Sequence, residues 1–133
     1  MHNGYHVRLG HPADFRVAYR FYDQKEGGRK SIPGQGYRSD FWYEFEGPYV
    51  TSIFMIWPEF EDPNGELIAE TGVPVESSGT ARMWVLIPER REFHRERIHV
   101  GLKAYFMEGS RKVAECTVIE ILGLHSNPTV SSI

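Results

Sequence analysis

Two runs of alternating apolar and polar residues lie on either side of the segment Gly27-Gly28-Arg29-Lys30. Successive side chains of a β-strand point to opposite sides of the backbone, so a period of two predicts strands that are buried on one side. The apolar positions are Phe15, Val17, Tyr19 and Phe21 in the first run and Tyr37, Phe41, Tyr43 and Phe45 in the second. The sequence therefore predicts two half-buried strands joined by a glycine-containing loop.

Further segments have the same strand character. They are residues 50–57, 80–87, 98–106 and 112–122, with residues 66–75 as a short, weak strand and turns at 62–65, 76–79 and 108–110. The charged run 89–97 forms either one helical turn or a polar connection. Roughly six or seven antiparallel strands without a long helix predict an all-β barrel or sandwich. The residues expected to face its interior are Phe15, Val17, Tyr19, Phe41, Tyr43, Val100, Leu102 and Ala104.

Residues 50–57 differ from the other predicted strands because both of their faces are apolar. Ile53, Met55 and Trp57 share one face, and Phe54 and Ile56 share the other. Such a strand is either covered on both sides or has an outer side that is a contact surface.

Length and composition limit the class of protein. A chain of 133 residues suits one domain with its own core, and 41% hydrophobic residues are typical of a globular protein. The net charge of −3 does not suggest a protein that coats nucleic acid non-specifically. The single cysteine, Cys116, excludes an internal disulfide, and we expect it to be a small buried side chain. No segment approaches the ~20 apolar residues of a membrane span, and we expect a cytoplasmic protein without membrane contact.

Three segments resemble the third domain of elongation factor Tu, in the family's order and at similar spacing. Residues 15–43 resemble its opening, where a strand leads into Gly-Gly-Arg and a Tyr-Arg pair begins an aromatic strand. Ser78-Gly79-Thr80 stands where the family has a Pro-Gly turn, and residues 109–122 resemble the last hairpin and closing strand. The resemblance implies a single domain, 1–133, in which residues 14–122 form a closed six-stranded antiparallel Greek-key barrel. Residues 1–13 would be an N-terminal arm or extra strand, and residues 123–133 a flexible tail.

Cationic residues mark two of the turns. In the family, the corresponding loops lie together and touch the T-stem backbone of aminoacyl-tRNA. The resemblance thus implies a binding surface made of Arg29, Lys30, Arg38, Asp40, Arg111 and Lys112. Ser39 and Asp40 stand where the family usually has Pro-Gln, and Glu115 replaces a small residue. Because Asp40 and Glu115 would repel phosphates, the expected partner is either a protein or tRNA.

No residue pattern indicates catalysis or a cofactor. There is no glycine-rich loop ending in Gly-Lys-Ser or Gly-Lys-Thr and no serine in a Gly-x-Ser-x-Gly elbow. The six histidines do not have the spacing of metal ligands. We therefore expect a non-enzymatic binding module of the translation machinery, with no cofactor, metal or nucleotide.

Two alternative functions stay open. One is a protein–protein interaction module outside translation, such as an inhibitor or immunity-type protein. The other is a small-ligand carrier, against which the bulky inward residues argue. The aromatic residues exceed what one small core needs, so some should be partly exposed, as interface residues or as caps on the barrel ends; they are Trp42, Trp57, Trp84, Tyr5, Tyr22, Tyr43, Tyr49 and Tyr105. A contiguous basic loop surface would favour RNA, an aromatic neutral patch a protein, and an internal cavity a small ligand.

Overall fold

Strands form most of the regular structure in the computed structural model of the chain, which describes residues 1–46 and 52–131. The strands are β1 (Phe15–Phe21), β2 (Asp40–Tyr43), β3 (Ile56–Phe60), β4 (Ser78–Val85), β5 (Lys103–Glu108) and β6 (Arg111–Ile121). The helices are α1 (Tyr5–Leu9) and α2 (Arg91–Arg95), and short 3₁₀ turns lie at Gln24–Glu26, Glu44–Glu46 and Pro88–Arg90. The expected all-β class is confirmed, and the helices are minor.

All these strands lie in one antiparallel sheet, in the order β2-β5-β6-β1-β4-β3. The sheet curls strongly into a half-barrel. Between its edge strands β2 and β3, the described residues show one bridge, in which the amides of Phe41 in β2 and Phe54, just before β3, each donate to the other's carbonyl at 2.9 Å. The prediction of a closed barrel is therefore wrong. The edge strands have only four and five residues, and in the described part of this seam an isolated bridge from β2 to the segment before β3 takes the place of a ladder.

The core lies on the concave side of the half-barrel. The alternation in β1 is confirmed, because Phe15, Val17, Tyr19 and Phe21 are buried there while Arg20 is exposed. Of the residues expected to face inward, all except Val100 are buried. Aromatic side chains fill the interior, since Phe15, Phe41, Phe60 and Phe106 have no exposed surface.

Two assignments to the buried face are wrong. Val100 is 61% exposed and lies in a turn before β5, which begins at Lys103. Gly101 adopts φ 93°, a left-handed conformation that interrupts an extended strand. Phe45, which the alternation placed with Tyr43, follows β2 in a 3₁₀ turn and is 56% exposed.

Two predicted strands have different limits in the structure. Residues 66–75 form only isolated bridges, between Leu67 and Glu61 and between Pro74 and Gly34. The predicted strand 50–57 lies partly outside the described residues, and β3 covers only its last two positions before continuing to Phe60.

The charged run 89–97 is helical, and one of its arginines is completely buried. Arg91 of α2 donates from Nε to Asp14 Oδ1 at 2.8 Å and from Nη2 to the Val85 carbonyl at 2.8 Å. Asn127 Nδ2 donates to the same Asp14 oxygen at 2.9 Å, and Leu124 is buried in the core. The beginning of the predicted tail is thus packed against α2 and the start of β1.

The N-terminal residues form an arm rather than an additional strand. Its helix α1 lies against β3 and β4, where Glu59 is buried and accepts hydrogen bonds from the Tyr5 amide at 2.9 Å and the Trp84 indole at 3.1 Å. His2 Nε2 lies 2.7 Å from the same carboxylate, and the Tyr5 ring packs edge-on against Trp84. A buried carboxylate on the sheet therefore fixes the arm.

Candidate binding surface

The first of the two cationic turns is shaped by glycine. A side chain at Gly28 would place its Cβ 2.0 Å from the Tyr22 carbonyl oxygen, so only glycine fits there. Gly27 has φ 92° and follows a 3₁₀ turn that Asp23 and Glu26 close with a reciprocal capping box. These contacts present the backbone carbonyls of both glycines towards the β5–β6 turn.

The two cationic turns do meet, but their arginines bind groups of the protein itself. Arg111 donates to the carbonyls of Gly27, at 3.0 Å, and Gly28. Arg29 and the Tyr37 hydroxyl both donate to one carboxylate oxygen of Glu108. Burial acts to raise the pKa of Glu108, but the hydrogen bonds from Tyr37 and Arg29 outweigh it and hold that pKa below its usual value. Glu108 is therefore a charged partner for Arg29.

The remaining predicted site residues have other contacts. Lys112 Nζ lies 4.1 Å from the centre of the Tyr105 ring, and the Arg38 guanidinium lies 4.9 Å from that of Trp57. Asp40 is partly buried, and burial raises its pKa.

Lys30 and Arg38 are the predicted cationic site residues that are exposed and have no hydrogen bond or ion pair to the described residues, and the Arg38 guanidinium lies over the Trp57 ring. The expected surface is thus a set of internal contacts rather than a contiguous basic patch.

An apolar patch lies at the seam, where the edges of the half-barrel approach each other. We call it the seam patch, and its exposed members, with their exposed fractions, are Phe45 (56%), Ile53 (39%), Met55 (43%) and Ile87 (40%). Ile53, Met55 and Ile87 line a groove of about 310 Å³. Phe45 stacks on Tyr43, with ring centroids 4.7 Å apart. The outer side of residues 52–55 is therefore exposed rather than covered, which excludes the first of the two possibilities for this part of the apolar segment.

The floor of the groove contains a buried histidine. His94 of α2 packs edge-on against Phe54, with ring centroids 4.8 Å apart, and its Nδ1 is hydrogen-bonded to the Tyr43 hydroxyl at 2.5 Å. Burial lowers the pKa of His94 to about 4, with nearby arginines adding to the shift, so the ring is neutral at pH 7. Arg90 lies at the rim. The groove thus combines apolar walls, a neutral floor and one cation.

Sequence reasoning missed His94 because it lies in a run of charged residues that predicts solvent exposure. Its burial depends on Tyr43 and Phe54, which are distant in sequence. The one local signal was the presence of apolar residues on both faces of residues 50–57. Of the tryptophans, some of which were expected to be exposed, Trp42 and Trp84 are buried and Trp57 is partly exposed, and Tyr49 lies outside the described residues.

The chain matches no protein-family model, and no curated protein is significantly similar to it. Among the described residues, no cluster of three or more histidine, cysteine or carboxylate side chains could hold a metal ion. None of the helices described has the length and apolar character needed to cross a membrane. Cys116 is buried, as expected, and burial raises the pKa of its thiol.

Proposed function

We propose that this chain is a non-enzymatic binding module, related to the third domain of elongation factor Tu, and that its partner is a cytoplasmic protein. The seam patch is the contact surface in this proposal. Exposed apolar groups that form a contiguous patch on a folded domain commonly mark protein interaction sites. Methionine, aromatic residues and arginine, which are enriched in such interfaces, occur together here as Met55, Phe45 and Arg90.

The pairing of the cationic side chains is the observation that favours a protein over tRNA. Phosphate contacts need exposed lysine and arginine side chains that can replace counterions. Arg29 and Arg111 would first have to leave Glu108 and the glycine carbonyls. Covering a neutral apolar groove, in contrast, stabilises a complex because it removes apolar surface from water. The filled core also argues against a carrier that holds a small ligand inside the barrel.

The test is a quantitative capture experiment with the immobilised chain in extract of its source organism. The interface variant is the double substitution Met55→Asp/Ile87→Asp, and the control is Val73→Asp. Val73 is 50% exposed and does not line the seam groove. We expect a stoichiometric protein partner that is retained by the native chain and by the control but lost from the interface variant. A partner that the interface variant retains would contradict the proposed surface.

The RNA alternative is tested with bulk aminoacyl-tRNA at two salt concentrations. We expect no salt-dependent binding. Binding that weakens with salt, by a log–log slope of roughly −0.7 to −0.9 per phosphate, and that is lost in Arg29→Ala/Arg111→Ala would establish tRNA as the partner instead. The identity of a captured protein separates a translation module from an inhibitor or immunity-type protein.

A further inference from the structure

A second groove lies on the opposite, convex side of the sheet, beneath the N-terminal arm. It has a volume of about 820 Å³, within the range of pockets that hold small molecules. Residues of the arm, including His6 and His11, form one wall. Arg16 of β1 and Arg82 of β4 form the other. None of these residues belongs to the seam patch.

The sheet wall of this groove carries two guanidinium groups around one buried carboxylate, Glu61. Glu61 is nearly buried and receives hydrogen bonds from Arg16 Nη2 at 2.7 Å, Arg82 Nε at 2.8 Å and Thr80 Oγ1 at 2.7 Å. Burial acts to raise the pKa of Glu61, but the hydrogen bonds from Arg16, Arg82 and Thr80 outweigh burial and lower that pKa, so the carboxylate is ionised. One negative charge is thus shared between two guanidinium groups that line the groove.

Of the two arginines, Arg82 has an unused donor nitrogen in the described part of the chain, whereas each guanidinium nitrogen of Arg16 has a partner. Arg16 Nη1 donates to Glu120, a half-exposed carboxylate that does not line the groove. Arg82 Nη2 donates to the Gly65 carbonyl at 3.1 Å, whereas Arg82 Nη1 has no hydrogen-bond partner among residues 1–46 and 52–131. A guanidinium with free N–H groups binds carboxylate oxygens through strong, charge-assisted hydrogen bonds.

The remainder of the groove is apolar and held in place. Ala13, Trp84 and Leu122 form its apolar lining. On the arm, His11 Nδ1 donates to the Pro12 carbonyl at 2.8 Å, and the His11 ring lies 5.6 Å from that of Trp84. Because Glu59 anchors the arm through Tyr5 and His2, this wall is formed before any ligand arrives.

We propose that this groove beneath the N-terminal arm, here called the arm groove, binds a small organic carboxylate with an apolar body. The carboxylate accepts a hydrogen bond from Arg82 Nη1, and the body covers the apolar lining near Trp84. The inference rests on the charges and donors of this groove and does not depend on the proposed protein partner.

The test is a titration of the full chain with hexanoate, followed by NMR at the Trp84 indole and the Gly65 amide. Hexanol supplies the apolar body without the charge, and inorganic phosphate supplies an anion without the body. We expect saturable binding of hexanoate with a Kd of roughly 1 mM, as small ligands of this size allow. Hexanol and phosphate should each bind at least about tenfold more weakly, because each lacks one half of the recognition.

Two matched arginine variants locate the carboxylate. Arg82→Gln should weaken hexanoate binding about tenfold, the usual effect of losing a charge-assisted hydrogen bond. Arg20→Gln is the control, because Arg20 is also an outward arginine paired with two carboxylates, Glu26 and Glu115, but lies outside the groove. His11→Ala changes the opposite wall of the groove and leaves Glu61 in place. It should also weaken hexanoate binding. If Arg82→Gln does not fold, the hexanoate affinity of His11→Ala tests the proposal instead.

Three results would overturn the proposal. They are the absence of saturable hexanoate binding, phosphate binding as tight as that of hexanoate, and unchanged hexanoate affinity in the variants of Arg82 and His11. The second result would indicate an adventitious ion only.

Discussion

His94 is the residue that most clearly links local packing to a measurable property. It is buried between Tyr43 and Phe54, and burial lowers its pKa from 6.5 to about 4. Between these two values the unfolded chain binds a proton at this position and the folded chain does not. The contribution of His94 to stability is therefore fully present above pH 6.5 and is lost as the pH falls towards 4.

The first prediction follows from this linkage. Lowering the pH from 6.5 to 4 should reduce the free energy of unfolding by about 3 kcal/mol through His94 alone, since one pKa unit corresponds to about 1.4 kcal/mol. Urea unfolding at a series of pH values measures the effect. His94→Gln should flatten this pH dependence, whereas His99→Gln, at an exposed position, should leave it unchanged. An equal flattening in both variants would show that the slope has another origin.

At the scale of elements, the start of β5 shows how one turn decides which side chains reach the core. Gly101 has a positive φ, and the Leu102 amide donates to the His99 carbonyl at 3.1 Å. The turn leaves Val100 in solvent and directs Leu102, which is 8% exposed, into the core. The two residues are two positions apart and would share a face in a regular strand.

The second prediction uses this pair as a matched comparison. Leu102→Ala should lower the free energy of unfolding by about 2–5 kcal/mol, the usual range for a buried leucine. Val100→Ala should change it by less than about 0.5 kcal/mol, as is usual for an exposed position. Urea unfolding at pH 7 measures both. Similar losses in the two variants would mean that Val100 is packed in solution, which would contradict the turn.

At the scale of the whole molecule, a curled sheet with a filled core offers two separate grooves on its surface. One lies at the seam between β2 and β3, and the other lies between the N-terminal arm and the convex side of β1 and β4. The described loops contain no glycine-rich segment that leads into a helix with the spacing of a phosphate-binding loop.

The third prediction is therefore that the chain does not bind guanine nucleotides. Isothermal titration with GTP and with GDP, in the presence of magnesium, should give no saturable heat. Tight binding of either nucleotide would contradict the proposal of a module without nucleotide chemistry.

The sequence by itself determined the features that depend on near neighbours. The alternation in β1 follows from the pleat, so Phe15, Val17 and Tyr19 could be assigned to the core without a structure. The glycines at positions 27 and 28 indicated the tight loop, because Gly27 has a positive φ and backbone crowding at Gly28 excludes a side chain. The strand composition was likewise sufficient to identify the all-β class.

Only the tertiary structure decided which polar residues are buried and whether the barrel closes. Arg91 and His94 are buried because Asp14 and Tyr43, far away in sequence, supply their hydrogen bonds. A charge is tolerated in a core only when such partners are present, and no local pattern reveals them. Closure likewise depends on how many residues of β2 and β3 remain extended at the seam, where one bridge joins Phe41 to Phe54. Strand alternation specifies the faces of a sheet, but pairing between distant edges is a property of the folded chain as a whole.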